Sequence, residues 1–317
     1  MKSFLNTALK LLITCGLIIY LVHNTDLIAL GTVFAGLVPW LLALAVGCFV
    51  ISNILGALQW HLLLQVQNLE ISFKQALTFY LVGVFFNNVL LGNIGGDALR
   101  IYDIKRLTGK SSGGVAATFM DRFIGLFSTC TLALVAYPMI SGAAGVWAIS
   151  VLLPVWFGLV VFLAMGLSRR LGAALESLGR RFLPPRLNDL VHHLRSSIMV
   201  YRHRGGLLAC IWMLSLTVQF ARILVYFCAG LAVGMQPGLL YFVCFQPVAA
   251  IIAALPISIG GLGVRENTLV ELFHSLGIAT EVSTAMSLLG YTAGLLASLL
   301  GGIAFVIRRV ERKTTTA

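Results

Sequence analysis

The sequence predicts an all-α polytopic membrane protein with about six full transmembrane helices and two re-entrant or broken helical hairpins. Of the 317 residues, 59% are hydrophobic and only 10% are charged, and the mean hydropathy is +0.97. Because an ordinary soluble domain carries about 25% charged residues, this chain lacks the polar side chains that a water-exposed surface needs. The composition therefore excludes a soluble enzyme, a disordered protein and a fibrous protein.

The full spans follow from the uncharged runs, since a helix needs about 20 apolar residues to cross a bilayer. The run 123–168 is long enough for two spans, which Pro138 to Gly145 separate. A short linker is expected ahead of the second span. A single integral membrane domain over residues 1–317 then contains spans at about 9–23, 37–64, 114–137, 146–167, 207–233 and 283–307.

Two apolar segments differ from the full spans. Residues 77–92 carry two asparagines and lead into a Gly-Asn-Ile-Gly-Gly sequence, and residues 240–258 carry Pro247 and Pro256 and lead into a second glycine pair. Prolines and paired glycines interrupt helices, so both segments are predicted to be re-entrant or broken. Non-helical backbone at membrane depth is tolerated only where protein buries it or water reaches it. The two hairpins therefore predict a polar cavity.

The two interruptions resemble each other in sequence. The eight residues from Asn93 to Arg100 align without a gap with the eight from Ser258 to Arg265, 165 positions later, and Ile, Gly, Gly and Arg coincide. The offset is about half the chain. An internal repeat, with copies at roughly 37–167 and 207–307, is therefore predicted, as in transporters built from two repeats around a midplane site.

The distribution of basic residues predicts the orientation. If both hairpins are re-entrant and both termini are cytoplasmic, every Lys and Arg except Arg122, Arg222 and Arg265 lies on the cytoplasmic side, including those of the basic loop 168–206. This arrangement satisfies the positive-inside rule, whereas two spanning segments would move the basic loop 93–113 outside. The hairpins then open to opposite faces, which makes the repeat an inverted one. The same rule explains the net charge of +11. Binding to nucleic acid is therefore not needed to account for this charge.

Charges inside apolar runs are the candidate site residues, because an arginine at the bilayer centre costs roughly 2.5–3.5 kcal/mol on insertion scales. Asp121 and Arg122 are adjacent, so on a helix they point in different directions and are expected to pair with other groups. A structural ion-pair network and a substrate site are both open interpretations for them. Arg222 favours a substrate site, because its own span contains no acidic residue.

Arg100 and Arg265 each follow a glycine pair by four residues. Glycines let backbone amides approach an anion at a helix start, and a guanidinium adds a bidentate phosphate contact. The alternative is that the glycines only form turns and the arginines extend to the interface. The nearby acidic residues Asp97, Asp103 and Glu266 would balance the arginines, bind an ammonium group or accept a proton. The predicted substrate-binding residues are Asn93, Gly95, Gly96, Asp97, Arg100, Asp121, Arg122, Arg222, Gly260, Gly261, Arg265 and Glu266.

The sequence motifs that are typical of enzymes and metal sites are incomplete in this chain. The six cysteines lie in apolar runs without Cys-x-x-Cys spacing, which indicates small buried side chains. Gly109-Lys110-Ser111 lacks the upstream glycine of a phosphate-binding loop, because position 104 is isoleucine. The sequence therefore predicts no catalytic residue, no metal and no cofactor.

Several motifs together resemble one known family. They are Gly92-Asn-Ile-Gly-Gly-Asp-Ala-Leu-Arg100-Ile-Tyr, Met120-Asp-Arg-Phe-Ile-Gly125 and Leu255-Pro-Ile-Ser-Ile-Gly-Gly-Leu-Gly-Val-Arg265-Glu266. This order is similar to the lysylphosphatidylglycerol synthase transmembrane-region family, also called flippase-like, from about residue 5 to 308. The family's signature positions coincide with the charged candidate residues except Arg222.

The resemblance implies a membrane module that moves lipids between leaflets. In two-domain bacterial members it moves aminoacylated phosphatidylglycerol made by a cytoplasmic synthase domain, and stand-alone members have been tied to polyprenyl-linked sugars and hopanoids. Because the chain ends at Ala317, we expect a stand-alone member without the synthase activity. A separate lipid-synthesising enzyme is then a candidate partner.

The functional expectation is a non-enzymatic lipid translocase of the bacterial inner membrane. Its substrate would be an anionic or aminoacylated phospholipid or a polyprenyl-phosphate-type lipid. Three alternatives stay open: a secondary transporter of a small anionic solute, a membrane enzyme acting on a lipid phosphate, and an accessory subunit of a lipid-modifying system. Oligomeric state is not predicted.

Overall fold

A computed structural model describes residues 2–89, 95–140, 143–168, 199–202, 204–255 and 257–315. In these ranges the chain forms eleven α-helices and one short 3-10 helix, and no strand. The predicted all-α polytopic fold is confirmed. The helices are α1 (Lys2–His23), α2 (Leu27–Ala35), α3 (Pro39–Val66), α4 (Phe73–Val89), α5 (Gly95–Thr108), α6 (Ser112–Ala136), α7 (Ala143–Leu167), α8 (Gly205–Ala232), α9 (Leu239–Ala254), α10 (Val264–His274) and α11 (Thr280–Thr315).

Five helices are long and apolar enough to cross a membrane: α3, α6, α7, α8 and α11. They coincide with five of the six predicted spans, and the 3-10 helix Tyr137–Met139 separates α6 from α7 where proline and glycine predicted a break. Large apolar side chains on these helices are exposed, with Trp40 65% and Phe157 62% accessible. Such surfaces suit a hydrocarbon environment.

The sixth predicted span corresponds to α1, which bends by 79° into α2. The predicted linker ahead of α3 is wrong, because residues 27–35 form this second helix. Asp26 explains the error: its side chain accepts hydrogen bonds from the amides of Ile28 and Ala29 and so caps the start of α2. The two helices together count as one span at most.

The predicted breaks fall at the ends of α4 and α9, but the segments 77–92 and 240–258 are each mainly one helix and do not form a hairpin by themselves. Most of 77–92 lies in the continuous helix α4, and α9 runs through Pro247. Each hairpin is completed by the next helix, since α4 packs on α5 and α9 packs on α10. In the first hairpin, the later residue Asn87 of α4 contacts Gly96 and the earlier residue Tyr80 contacts Arg100, so its helices run antiparallel.

The helix contacts follow a repeated order. Helices α3–α6 form one set and α8–α11 form another, each with a long helix, two hairpin helices and a second long helix. The first hairpin helix of each set packs on the last helix of the other, α4 on α11 and α9 on α6, while α3 packs along α8. This reciprocal exchange supports the repeat over 37–167 and 207–307, which, like its inverted orientation, stays a prediction.

The basic loop 168–206 lies mostly outside the described residues. Within it, Tyr201 is fully buried and donates a hydrogen bond from its hydroxyl to the carbonyl oxygen of Leu63, at 3.3 Å. This contact attaches the end of the loop to α3. The prediction that the loop and both termini are cytoplasmic is not tested by the fold.

Candidate functional site

A polar cavity of about 310 Å³ lies where the two helix sets meet. Each of the eight helices α3–α6 and α8–α11 contributes to its wall. We call it the arginine cavity, because its lining includes Arg100, Arg122, Arg222 and Arg265. The four predicted site arginines, which are distant in sequence, are therefore brought together.

Asp97 is the centre of the ion pairs beside this cavity. It lies in the first turn of α5, where a carboxylate favours the helix dipole. Its Oδ2 and Oδ1 accept hydrogen bonds from Nε and Nη2 of Arg122, both at 2.9 Å. Its Oδ1 also accepts from Nη2 of Arg100, at 2.7 Å. Asp97 therefore balances two arginines, one of the three roles open from the sequence.

Arg100 is buried, with 3% of the residue exposed. Its Nη1 donates to Oδ2 of Asp121 at 3.4 Å, and its guanidinium carbon lies 5.1 Å from the ring centre of Trp60 and 4.8 Å from that of Tyr80. These cation–π contacts and carboxylates stabilise a charge that burial would otherwise penalise. Arg100 is therefore fixed in the wall of the cavity.

Asp121 is also part of this network. It is 8% exposed, and its Oδ1 accepts a hydrogen bond from Nε2 of Gln59 at 2.9 Å. As expected, Asp121 and Arg122 pair with other groups and not with each other. Both line a second cavity of about 300 Å³, which adjoins the arginine cavity along Arg122 and Arg222.

Arg222 and Arg265 differ from the other two arginines. Among the described residues, neither has a carboxylate within the 4.0 Å limit of an ion pair. Nη2 of Arg222 donates to the hydroxyl of Tyr80 at 3.3 Å, and Nη1 of Arg265 donates to that of Tyr226 at 3.4 Å. Nε of Arg222 is buried without a described partner. In the described part of the chain, neither guanidinium therefore forms a direct ion pair, and Asp121 and Glu266 act on them through longer-range electrostatic attraction.

Asn53 is a further polar group in the cavity wall. It is only 1% exposed, and neither the nitrogen nor the oxygen of its amide has a hydrogen-bond partner among the described residues. Leaving such a buried group unpaired costs about 1–3 kcal/mol. A bound ligand or water that fills the cavity would satisfy it.

The predicted glycine pairs have structural roles. Gly96 lies inside α5 against Gly83, and its amide donates to Oδ1 of Asn87 at 2.8 Å. Gly260 and Gly261 adopt φ values of +64° and +76° in the turn before α10, which glycine allows. The two pairs therefore differ in conformation, and the amide of Gly96 is already occupied within the hairpin. Asn93 lies outside the described residues, and Gly95 begins α5.

Glu266 does not face the arginine cavity. It is 3% exposed, and its Oε2 accepts a hydrogen bond from the amide of Gly263 at 2.7 Å, so it caps α10. Asp103 pairs instead with Arg308, whose Nη1 lies 2.7 Å from its Oδ2. That contact joins α5 to α11. The geometry of the described residues assigns no ligand to Glu266 or Asp103, so their substrate roles stay predictions.

The comparisons with known proteins agree with this architecture. The family model described as lysylphosphatidylglycerol synthase TM region matches residues 7–302. The chain belongs to this family. The resemblance seen in the motifs is therefore confirmed.

Two relatives in this family are archaeal. A UPF0104 membrane protein of Methanothermobacter thermautotrophicus is 26% identical over 303 residues, covering 88% of this chain and 86% of the relative. A UPF0104 membrane protein of Pyrococcus horikoshii is 20% identical over 284 residues, covering 82% and 84%. No solved structure matches. The family assignment shows that this chain is a membrane protein. It does not identify the substrate, which has to be inferred from the site.

Several cavity residues were absent from the sequence prediction, notably Asn53, Tyr80, Tyr226 and Tyr291. Uncharged polar side chains do not interrupt an apolar run, so they carry little signal one at a time. A separation one residue longer than the 165-residue motif offset does relate some of them. Asn53 and Gln219 are 166 positions apart and both line the cavity, as do Tyr80 and Gln246 at the same separation.

The same separation also relates the partners of two arginines. Trp60 lies against Arg100, and Tyr226, 166 positions later, contacts Arg265. An aromatic side chain on the long helix thus contacts the hairpin arginine in both helix sets. Extending the alignment upstream from the glycine motifs pairs these two residues once a one-residue gap is allowed.

Proposed function

We propose that this family member is a lipid translocase, without enzymatic activity, that moves an anionic or aminoacylated phospholipid or a polyprenyl-phosphate-type lipid between leaflets. The observation that carries the proposal is the pair Arg222 and Arg265, which form no direct ion pair with any described carboxylate and lie in a cavity at the junction of two hairpins. The head group would occupy the cavity while the hydrocarbon tails stay in lipid.

Electrostatics supports an anionic head group. Charged side chains inside a membrane protein are retained where they pair with one another or mark a substrate pathway. Arg100 and Arg122 already pair with carboxylates, whereas Arg222 and Arg265 keep donors for an incoming anion. A planar guanidinium matches the oxygens of phosphate. Binding a phosphate group would therefore lower the net positive charge of the cavity.

A neighbouring apolar cavity supports a lipid over a small solute. It has a volume of about 240 Å³ and lies between α1, α2, α10 and α11, with Leu21, Leu30 and Leu288 in its wall. Tyr291 lines both this cavity and the arginine cavity. An amphiphile would place its head and one chain on the two sides of Tyr291, whereas a small solute would leave the apolar cavity unused.

The cellular setting of this proposal is the bacterial inner membrane, with both termini in the cytoplasm. Membrane lipids are then the partners, and a separate enzyme would synthesise the transported lipid. The basic residues of the loop 168–206 support this orientation through the positive-inside rule.

The test is a translocation assay in liposomes that contain the purified full chain. Fluorescent phosphatidylglycerol, lysylphosphatidylglycerol and a polyprenyl phosphate are each placed in one leaflet, and their loss from that leaflet is followed with a membrane-impermeant quencher. We expect at least one lipid to move faster than in protein-free liposomes. Uptake of a small anion such as inorganic phosphate, without movement of any lipid, would favour the solute transporter instead.

A further inference from the structure

The second cavity, of about 300 Å³, shares part of its wall with the arginine cavity. The polar residues that line both are Tyr80, Arg122, Thr129, Gln219 and Arg222. Arg222 therefore lies at the junction of the two cavities. A phosphate that binds Arg222 would have the second cavity beside it, as space for the group that the phosphate carries.

Gln59 places an unpaired hydrogen-bond acceptor in the wall of the second cavity. It is 3% exposed, and its Nε2 lies 2.9 Å from Oδ1 of Asp121 and 3.5 Å from the backbone carbonyl oxygen of the same residue. Because an ionised carboxylate and a carbonyl oxygen only accept hydrogen bonds, the amide of Gln59 has to present its nitrogen to Asp121. Its Oε1 is left buried, without a hydrogen-bond partner among the described residues.

Two further groups in this wall also offer acceptors. The hydroxyl of Thr129 donates its hydrogen to the carbonyl oxygen of Gly125, at 2.8 Å, so Oγ1 has lone pairs but no hydrogen left for a ligand. The carboxylate of Asp121 accepts from Gln59 and Arg100 and keeps unused lone pairs, because an ionised carboxylate offers about four acceptor sites. The second cavity therefore combines these acceptors with the arginine donors that it shares with the arginine cavity.

A phosphate group alone does not satisfy the acceptors. The oxygens of an ionised phosphodiester accept hydrogen bonds, which suits the guanidiniums of Arg122 and Arg222 but not the oxygens of Gln59 and Thr129. A donor that the head group carries beyond its phosphate does satisfy them. Hydroxyl and ammonium groups are both such donors.

We infer that the second cavity is a subsite for a hydrogen-bond-donating extension of the head group, a hydroxyl or ammonium group attached to a phosphodiester, and that Gln59 determines this specificity. The inference rests on the proposed function and adds what the head group carries beyond its phosphate. The phosphate would lie against Arg222, and the extension against Gln59 and Thr129. A lipid whose phosphodiester ends in an alkyl group would leave Oε1 of Gln59 unpaired and would bind less tightly.

Two charge-matched pairs of short-chain lipids test the subsite. Dihexanoyl phosphatidylglycerol and dihexanoyl phosphatidylpropanol have the same charge and the same number of carbons in the extension, but only phosphatidylglycerol carries hydroxyls there. Dihexanoyl phosphatidylethanolamine and dihexanoyl phosphatidylcholine are both zwitterionic, but only phosphatidylethanolamine has N–H donors. The purified full chain is titrated with each lipid in a neutral detergent, and the rise in melting temperature reports occupancy.

The expected result is a preference for the donor-bearing lipid. In at least one pair it should bind on the order of tenfold more tightly, since its partner leaves a buried acceptor unpaired. A preference within the first pair identifies a hydroxyl as the donor, and one within the second pair identifies an ammonium. Equal binding within both pairs would overturn the subsite without the use of any variant.

Gln59→Met tests the assigned acceptor. Methionine keeps the length of the side chain but has no amide oxygen, so the preference for the donor-bearing lipid should disappear. Gln65→Met makes the same change at an exposed position of α3, outside both cavities, and should keep the wild-type preference. An unchanged preference in folded Gln59→Met protein would contradict the role of Gln59.

The outcomes separate the subsite from the proposed function. Equal binding within both pairs, together with lipid movement in liposomes, would overturn the subsite and support the translocase. A donor preference in protein that moves no lipid would support the subsite and overturn the translocase. Binding of none of the four lipids by folded protein would overturn the subsite together with the head-group site that it extends.

Discussion

Arg122 and Asp97 form a two-point ion pair, with Nε and Nη2 of the arginine each 2.9 Å from a different carboxylate oxygen. The contact joins the middle of α6 to the first turn of α5. Arg122 is nevertheless 50% exposed and lines the arginine cavity. One residue therefore both holds the first hairpin in place and presents charge to the cavity.

The first prediction concerns the carboxylate of this pair. Asp97→Asn leaves Arg100 and Arg122 without their shared partner, so it should lower the free energy of unfolding by on the order of 3 kcal/mol, as breaking a buried ion pair does. Thermal unfolding of the purified protein in detergent measures this. Glu70→Gln makes the same chemical change at an exposed position and should not lower the melting temperature. Equal melting temperatures of the Asp97→Asn and Glu70→Gln variants would contradict the ion-pair network around Asp97.

The second prediction concerns Arg100 and Asp121. Arg100→Gln leaves the buried Asp121 without its ion-pair partner, and Asp121→Asn leaves Arg100 with Asp97 alone, whereas the double variant removes both charges. The double variant should therefore be more stable than the sum of the single effects predicts, by about 0.5–3 kcal/mol. A double-mutant cycle of unfolding free energies measures the difference. Strict additivity would show that the two side chains are not coupled.

The third prediction concerns the close approach within the first hairpin. A Cβ atom at Gly96 would overlap the carbonyl of Gly83, so Gly96→Ala should separate α4 from α5 and destabilise the protein by about 1–3 kcal/mol. Gly47→Ala is the matched control, because a Cβ there meets nothing within 4 Å. Its melting temperature should not fall, since alanine favours a helix interior over glycine. A stable Gly96→Ala protein would argue against this packing.

The fourth prediction concerns the pair that joins α5 to α11. Asp103 is 3% exposed and forms two hydrogen bonds with Arg308, whose guanidinium lies 5.2 Å from the ring centre of Phe79. Asp103→Asn and Arg308→Gln should each destabilise the protein on the order of 3 kcal/mol. The exchange Asp103→Arg with Arg308→Asp should recover part of that loss in the same unfolding measurement. No recovery would indicate that packing, and not charge, dominates the contact.

Much of the fold was predictable because hydropathy and charge act over long, simple stretches. The membrane class and five spans follow from uncharged runs, and the break near Pro138 follows from proline chemistry. Helix α2 escaped prediction because a single side chain, Asp26, begins it inside an uncharged run. The continuous path of α9 through Pro247 was also unexpected, since proline usually interrupts a helix.

The site was predictable only for its charged members. The arginines stood out because charges are rare in apolar segments, but their partners depend on folding over long sequence distances. Arg222 contacts Tyr80 across 142 positions, and Asp121 contacts Gln59 across 62. The spacing of residues along the sequence does not indicate contacts between such distant positions. A separation of 166 residues, one more than the motif offset, connects Trp60 with Tyr226, so an alignment of the two repeats with a one-residue gap would have extended the site.

The most direct test of the central claim, that Arg222 and Arg265 hold an anionic head group during transfer, is the initial rate of phosphatidylglycerol translocation in liposomes. Arg222→Gln and Arg265→Gln, compared with wild type, should each lower the rate by at least about tenfold, the loss expected when a charge-assisted phosphate contact of 1.5–3 kcal/mol is removed. Arg202→Gln, at an exposed position outside the cavity, should keep the wild-type rate. Wild-type rates in both cavity variants, with folded protein present at equal density, would contradict the account.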